Sequence, residues 1–344
     1  MSENHLYRAA IPKIPKAVQP LWSVMIPTYN CAEYLRETLA SVLMQDPGVE
    51  MMQIEVIDDG STRDDPAAVV EEVGQGRVEF YRQPQNVGHI KNFQTCLERA
   101  RGKLIHLLHG DDRVRIGFYH KLQSAFEQRP DIGAAFCRHI MMDERGHWQY
   151  LSELEQSESG ILDRWLERIA VKQRIQTPAI VVQRDVYEHL GGFDSRLSWS
   201  EDWEMWVRIA AHYPIWYEPE PLALYRMHSN SSTERNTRTG ENMRDIRRAI
   251  AIFQSYLPTV NSDWLAAKAR ENWALDALYH TVPKLIGSRD FQAAVTQIRE
   301  SLNCSHSLTV YRKVIPLVLR LGKYWLKDRV VSRLQFYKVG HETS

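Results

Sequence analysis

The sequence predicts an α/β protein with a mostly parallel sheet flanked by helices, followed by a region that is α-helical throughout. Apolar runs of strand length alternate with segments of helical periodicity from residue 21 to residue 113, which is the pattern of βαβ units. Beyond a polar stretch at 230–240 only helical periodicity remains. We therefore expect an N-terminal arm at 1–20, an α/β domain at 21–235 with halves at 21–113 and 114–235, and a helical domain at 240–344.

The composition is that of an ordinary folded protein of 344 residues, with 44% hydrophobic and 25% charged residues. Its 43 basic and 43 acidic side chains balance, which argues against a protein that binds nucleic acid by neutralising phosphates. The four cysteines are scattered and form no C-x-x-C pair, so a structural zinc site is not expected. No N-terminal signal and no long apolar window is present, which predicts a cytoplasmic protein.

Four apolar runs in the first half are predicted to be neighbouring strands of the sheet. They lie at 23–26, 54–57, 78–81 and 104–108, with amphipathic helices at 34–43 and 90–100. Polar clusters follow three of these strands directly, at 27–30, 58–61 and 109–112. Because open α/β sheets bind ligands at the carboxyl ends of their strands, these clusters should meet in one crevice.

Acidic pairs at the strand ends favour a metal-dependent phosphate site. The pairs are Asp58 with Asp59 and Asp111 with Asp112, and no glycine-rich phosphate loop accompanies them. Such carboxylates suit a hard divalent cation that bridges the phosphates of a ligand. Asp and Gly also favour plain turns, so either pair alone would more often be structural. Two such pairs at strand ends of one sheet favour a site.

Seven short motifs follow one another along the first two thirds of the chain. They are SVMIPTYN at 23–30, VIDDGS at 56–61, NVG at 86–88, GDD at 110–112, GGFD at 191–194, EDW at 201–203 and RMH at 226–228. In these motifs and in their order the chain resembles glycosyltransferase family 2. The resemblance covers about residues 21–235 and implies the GT-A fold, a nucleotide-sugar donor, a divalent metal and inversion at the anomeric carbon. It also implies a glycan or lipid-linked acceptor, and a role in bacterial surface polysaccharide synthesis.

The resemblance implies donor-site roles for residues of the first half, which would bind the nucleotide. Pro27, Tyr29 and Asn30 match the family segment around the base and ribose. Asp58 matches the carboxylate that accepts a hydrogen bond from uracil, and Lys91 matches a basic nucleotide contact. A UDP-sugar is therefore the expected donor, although dTDP would satisfy the same contact.

The resemblance implies a divalent metal at Asp111, which matches the metal-binding acid of the family's D-x-D motif and also contacts the nucleotide. The first acid of that motif is replaced here by His109, which leaves one strong ligand where two acids are usual. His228 is expected to complete the metal site, with a surface histidine as the alternative, and Asp112 to support it. Because imidazole is a poorer ligand for Mg²⁺ than carboxylate, Mn²⁺ is favoured and Mg²⁺ is the alternative.

The resemblance also implies that Asp202 is the general base that takes the proton from the acceptor hydroxyl. Glu201 is the second choice for this role, or an acceptor contact. Acids are also common in the first turn of a helix, where Ser200 would be the N-cap, so plain helix-start electrostatics is the alternative.

Other residues of the second half are expected to support the acceptor site. Gly191 and Gly192 predict a tight turn beneath it, with a plain loop as the alternative. Trp199 is a candidate platform for a sugar ring. Trp203 and Trp206 stand at helical spacing and are expected in the core.

The stretch 308–340 carries eight Lys or Arg and one Asp among apolar residues. This pattern fits peripheral contact with the inner face of a membrane, or a helix packed on the protein with a solvated charged face.

Two other functions remain open at the level of the sequence. A sugar nucleotidyltransferase would share the acids and the metal, but it would usually carry a basic, glycine-rich loop after the first strand. A non-catalytic glycan-binding or scaffold relative is supported by His109 and opposed by the intact Asp111, Asp202 and His228.

Overall fold

The computed structural model describes residues 6–15, 19–227 and 232–339, and their side chains except at 232–234 and 325–339. Within this part of the chain ten strands join in one sheet. They are β1 Trp22–Thr28, β2 Met52–Asp58, β3 Glu79–Arg82, β4 Leu104–Leu107, β5 Arg113–Val114, β6 Ala134–Met142, β7 Trp148–Leu151, β8 Gly160–Ile161, β9 Ile180–Gln183 and β10 Ile215–Arg226.

Helices cover both faces of the sheet, and the regular structure of the described residues after β10 is helical. They are α1 Ala32–Leu43, α2 Pro66–Gly74, α3 His89–Arg99, α4 Phe118–Gln128, α5 Trp165–Val171, α6 Arg184–Leu190, α7 Glu201–His212, α8 Ser232–Thr239, α9 Glu241–Phe253, α10 Ser262–Asp276, α11 Val282–Gly287, α12 Phe291–Cys304 and α13 Leu308–Val339. No helix of the described residues is both long enough and apolar enough to cross a membrane.

The sheet has the order β3-β2-β1-β4-β9-β6-β10-β5 and is mixed. The strands β3, β2, β1 and β4 run parallel, as the alternating pattern predicts. β9 then inserts antiparallel between β4 and β6, while β6 and β10 are parallel. Because β1 lies between β2 and β4, the loops after all three strands open at the same edge of the sheet.

Each face of the sheet has its own apolar core. Val24 and Ile26 of β1 pack into one core with α1, α2 and α4, while Met25 packs into the other with α3, α5 and α7. This division follows from the two-residue period of a strand. The helices after β10 extend the second core, since the ring of Trp203 on α7 lies 4.9 Å from Phe253 on α9. The helical region therefore packs directly on the helix that bears the EDW motif.

The N-terminal residues 6–9 lie against the GGFD loop. The carbonyl of Tyr7 accepts from Ser195 N at 2.9 Å, and that of Ala9 accepts from Gly192 N at 2.9 Å. The guanidinium of Arg8 is buried and pairs with Asp194 at 3.5 Å and with Glu204 on α7 at 3.3 Å. This part of the predicted arm thus joins the fold through backbone hydrogen bonds and buried charge.

Candidate functional site

The loop after β4 lies at the centre of a cleft at the strand ends. Its Gly110 donates its N–H to the carbonyl of Pro27 in β1 at 3.0 Å, and a Cβ at this glycine would collide with Thr28 Oγ1. The hydroxyl of Thr38 on α1 donates to the carbonyls of Gly110 and Asp112. Glycine at this position therefore lets the loop approach β1 closely enough to hold the following acids in the cleft.

A cluster of possible metal ligands is formed by His109, Asp111 and Asp112, each of which offers one ligand atom within 4.8 Å of the others. Asp112 is 1% exposed, and its Oδ1 accepts from the backbone N of Arg226 at 2.8 Å. Burial and the neighbouring Asp111 raise the pKa of Asp112 to about 6. Its Oδ2 has no hydrogen-bond partner among the described residues, as expected of an atom that could bind a cation.

The imidazole of His109 faces the same cluster. Its Nδ1 lies 3.5 Å from Asp112 Oδ2, its ring stacks on Phe93 with centroids 5.2 Å apart, and its buried Nε2 has no partner in the part of the chain described. Burial alone would lower the pKa of His109, but Asp112, Asp111 and Asp202 together raise it. One nitrogen and two oxygen donors fit a divalent first-row metal ion.

His228, the other predicted metal ligand, lies outside the described residues. Arg226, two residues earlier in the same motif, donates to the carbonyl of Asp111 at 2.8 Å and to Glu37 Oε2 on α1 at 2.8 Å. Its guanidinium also lies over the ring of Tyr34, 4.5 Å from the centroid. The end of β10 is therefore tied to the loop that carries the metal-ligand cluster.

Asp58 is fully buried and both of its carboxylate oxygens have partners. Oδ1 accepts from the Ser61 hydroxyl at 2.5 Å, and Oδ2 accepts from Arg82 Nε at 2.6 Å. A uracil N–H would have to replace one of these donors. Lys91 is exposed on α3.

The segment after β1 shapes the same end of the cleft. Asn30 has a positive φ of 51°, and its amide oxygen accepts from the backbone N of Thr62 and Arg63 at 2.9 Å. Its own N–H donates to Ser61 Oγ at 2.8 Å. Asn30 thus fixes the loop after β2, whereas Tyr29 beside it is 46% exposed.

Asp59 holds the NVG turn in place. Its two oxygens accept from the backbone N of Val87 at 2.7 Å and of Gly88 at 3.0 Å, while Asn86 donates to its carbonyl. The acidic pair after β2 therefore makes protein hydrogen bonds and lies outside the metal-ligand cluster, contrary to the hypothesis that both acidic pairs bind a cation. The turn leads directly into α3, whose first residue, His89, enters the site.

The first turn of α7 carries Glu201 and Asp202. Asp202 Oδ2 accepts from Gln173 Nε2 at 2.9 Å, and burial together with the charge of Glu201 raises the pKa of Asp202 to about 7. Glu201 Oε1 lies 3.2 Å from His89 Nε2. Burial lowers the pKa of His89, but Glu201 outweighs it and raises the pKa. A carboxyl group with a pKa near 7 can exchange a proton with a bound hydroxyl at neutral pH.

The N-terminus of α7 is capped from the helical region. Ser200 occupies the N-cap position, as predicted, but its hydroxyl makes no capping bond among the described residues. Instead, the buried carboxylate of Asp245 on α9 accepts from the backbone N of Ser198, Trp199 and Ser200 at 3.2, 2.9 and 2.8 Å. Asp245, His89 and Gln173 are site residues that sequence reasoning missed, and of these only His89 had a signal, since it follows the NVG motif.

The other residues that the sequence predicts for the acceptor side lie close to α7. Gly191 has a positive φ of 77°, and the Gly191–Gly192 turn lies against Arg8 and Ala9. Trp199 is half-buried, with its ring 5.8 Å from that of Trp273. Trp203 and Trp206 are 1% and 2% exposed, which confirms that both belong to the core.

Comparison with known proteins agrees with this geometry. The family model described as glycosyl transferase family 2 matches residues 23–199, more than half of the chain. An uncharacterised protein of Mycobacterium tuberculosis is 29% identical over 243 residues, covering 67% of this chain and 75% of its own length. An uncharacterised glycosyltransferase of Haemophilus influenzae is 25% identical over 281 residues, covering 76% of this chain and 81% of its own.

Two solved structures share the fold at 15% sequence identity. S. aureus TarS 1-349 in complex with UDP-GlcNAc has a TM-score of 0.63, with 90% of this chain and 92% of that chain covered. The mannosyltransferase PcManGT from Pyrobaculum calidifontis, in complex with GDP-Man and Mn²⁺, has a TM-score of 0.56, with 87% and 79% covered. With the family match over more than half of its length, the chain belongs to glycosyltransferase family 2 and is a glycosyltransferase with the GT-A fold.

Proposed function

We propose that this glycosyltransferase is an inverting, metal-dependent enzyme that moves a sugar from a nucleotide-sugar, a UDP-sugar first, to a hydroxyl of a glycan or lipid-linked acceptor. The observation that carries the proposal is the half-buried carboxyl of Asp202, with a pKa of about 7, which lies close enough to His109 of the metal-ligand cluster to raise the pKa of that histidine. Family membership favours this activity over a nucleotidyltransferase or a scaffold protein.

In the proposed reaction Asp202 accepts the proton of the acceptor hydroxyl. The hydroxyl oxygen then forms a bond to the anomeric carbon from the side opposite the diphosphate, and the bond to the diphosphate oxygen breaks with its electron pair. An α-linked donor thus gives a β-linked product. A divalent cation held by Asp111, with His228 as a further ligand, would neutralise charge on the diphosphate.

The donor-site proposal rests on the residues around the first three strand ends. Pro27, Tyr29 and Asn30 would surround the base and ribose, Lys91 would contact the nucleotide, and Asp58 would bind the uracil N–H. The solved relatives that carry UDP-GlcNAc and GDP-Man support a nucleotide-sugar donor. When the nucleotide binds, the uracil N–H would replace Arg82 as a hydrogen-bond donor to Asp58.

Calorimetric titration with UDP, GDP and dTDP, each with and without Mn²⁺, tests the donor site. We expect UDP to bind in the presence of Mn²⁺ and to lose that binding in Asp111→Ala. Binding of GDP in place of UDP would contradict the role of Asp58. Binding that is equally strong without metal and in the variant would contradict the metal site.

Measurement of UDP release from a panel of UDP-sugars tests the base. Asp202→Asn should lower kcat by about 10²- to 10⁴-fold and leave UDP affinity unchanged, since only proton transfer is lost. Glu201→Gln is the matched control because it removes the adjacent acid. An inactive Glu201→Gln enzyme beside an active Asp202→Asn enzyme would assign the base to Glu201.

We also propose that α13 contacts the inner face of an anionic membrane, where a lipid-linked acceptor for surface polysaccharide would lie. One side of the helix, with Val310 and Val314, is buried on the protein. A second side exposes Leu308, Ile315 and Leu319 by 75%, 60% and 63%.

The third side of α13 carries cations, and residues 301–327 include no Asp or Glu. An exposed apolar strip beside a cationic strip suits anionic lipid. The cationic residues with described side chains are Arg312, Lys313, Arg320 and Lys323.

Sedimentation with vesicles tests this contact. The chain should pellet with vesicles that contain phosphatidylglycerol and not with pure phosphatidylcholine, and Ile315→Ser with Leu319→Ser should release it. Val295→Ser, which changes an apolar residue of α12 that is 56% exposed, is the control. Dimerisation without vesicle binding would contradict the proposal.

A further inference from the structure

His109 stands where the family resemblance places an acid, yet the structure keeps its side chain in the cleft. The imidazole is held between the ring of Phe93 and the carboxylate of Asp112, and it is 24% exposed. Its Nε2 is buried and makes no hydrogen bond within the described residues. The imidazole therefore lies beside the carboxylates of Asp111 and Asp112, the other two members of the metal-ligand cluster.

Asp112 also has a buried polar atom without a hydrogen-bond partner among the described residues. This atom is Oδ2, whereas Oδ1 is fully engaged by the backbone of Arg226. Buried polar atoms without partners are destabilising, so native structures usually complete them. Asp112 Oδ2 faces His109 Nδ1 at 3.5 Å, so one cation bound by this nitrogen and this oxygen would complete the carboxylate.

The size of the cluster fits a single ion. The ligand atoms of His109, Asp111 and Asp112 lie within 4.8 Å of one another. Opposite ligands of a six-coordinate ion at about 2.1 Å are roughly 4.2 Å apart, so small side-chain rotations would close the site. The three residues also belong to one loop, which Gly110 holds against β1.

We propose that His109 is itself a metal ligand and that its nitrogen makes the site select Mn²⁺ and Co²⁺ over Mg²⁺. This inference rests on the proposed metal-dependent function and names the group that sets its metal preference. Mg²⁺ favours oxygen ligands, whereas imidazole binds the later first-row ions well, with affinity rising from Mn²⁺ to Co²⁺. The loss of one acid is then a change of metal selectivity rather than a loss of the site.

Two measurements on the full chain test the inference without relying on activity. Pulsed EPR of bound Mn²⁺ should show coupling to an imidazole ¹⁴N in His228→Gln, where His109 is the remaining proposed nitrogen ligand, and the double variant His109→Asp/His228→Gln should abolish it. Calorimetry with Co²⁺ and Mg²⁺ should show the Co²⁺-to-Mg²⁺ affinity ratio falling about tenfold or more in His109→Asp, since even outer partners of a metal change its affinity by about 10- to 100-fold.

Two further histidine variants serve as controls. His89→Gln should retain the ¹⁴N coupling seen in the wild type, because it changes neither proposed nitrogen ligand. Gain of Mg²⁺ affinity by His109→Asp also shows that this variant folds, and His109→Gln, which cannot supply imidazole, must lose the coupling too when it is combined with His228→Gln.

The outcomes separate this inference from the proposed function. Coupling that survives in His109→Asp and disappears in His228→Gln would overturn it and make His228 the nitrogen ligand. Mn²⁺ bound to the wild type without ¹⁴N coupling would overturn it while leaving metal dependence intact. A wild type that binds no Mn²⁺, with or without UDP, would overturn both.

Discussion

Replacing Asp202 by Asn should inactivate the enzyme and yet stabilise its fold at alkaline pH. Burial and the charge of Glu201 raise the pKa of Asp202 to about 7 in the native state. The same carboxyl titrates near about 3.9 in an unfolded chain. Between these values the native state holds a proton that the unfolded state has released, so the free energy of unfolding falls as pH rises from about 4 through 7.

The size of the effect follows from the two pKa values. A difference of about 3 units at about 1.36 kcal/mol per unit amounts to roughly 4 kcal/mol of lost stability above pH 7. Asn is neutral at every pH and avoids this cost. It also weakens the hydrogen bond from Gln173, which costs about 1 kcal/mol. The variant should therefore be about 2–3 kcal/mol more stable than the wild type at pH 8, and equal to it or slightly less stable at pH 4.

Urea denaturation of both proteins at pH 4, 6 and 8 measures this difference. A chelator should be present, because a bound cation would favour the ionised carboxylate. Asp163→Asn, which changes an exposed acid, is the control and should show no such dependence on pH. A stability difference for Asp202→Asn that does not grow between pH 4 and 8 would refute the raised pKa and with it the argument for the base.

Three further predictions concern the same cleft. The kcat/KM for transfer should rise with pH through about 7, and Glu201→Gln should move that rise to lower pH, because the Glu201 charge raises the pKa of Asp202; an unmoved profile would contradict this. Asp245→Ala should lower the free energy of unfolding by about 3–5 kcal/mol in urea, since it removes the shared acceptor of three backbone N–H groups, and a loss below about 1 kcal/mol would contradict it. Gly110→Ala should abolish Mn²⁺ binding in calorimetry, because its Cβ would collide with Thr28, and unchanged Mn²⁺ affinity would show that the loop can move aside.

The parts of the fold that depend on local patterns could be predicted from the sequence. Apolar runs of strand length locate β1 and β2, and the helical spacing of Trp203 and Trp206 places both side chains in the core. The antiparallel insertion of β9 could not be predicted in this way. Its apolar residues fit either strand direction, and only its neighbours in space decide between them.

In the candidate site the sequence predicts which residues line the cleft better than it predicts which residues they hydrogen-bond to. The acids at 58 and 59 look alike in the sequence, but Arg82 and the NVG turn engage them with hydrogen bonds. Local rules likewise favour Ser200 as the cap of α7, whereas the actual acceptor, Asp245, lies 45 residues further along the chain. Such partners depend on tertiary packing, which no local pattern records.

The buried pairing of Arg8 with Glu204 has a consequence for the order of events during synthesis. The two residues are 196 positions apart, and Arg8 also bonds the hydroxyl of Tyr256, 248 positions away. At about 5–20 residues per second, a ribosome needs roughly 10–40 s after making Arg8 before Glu204 exists. Throughout that interval the segment around Arg8 cannot form this buried ion pair, so its docking on α7 has to follow synthesis of the second half of the α/β domain.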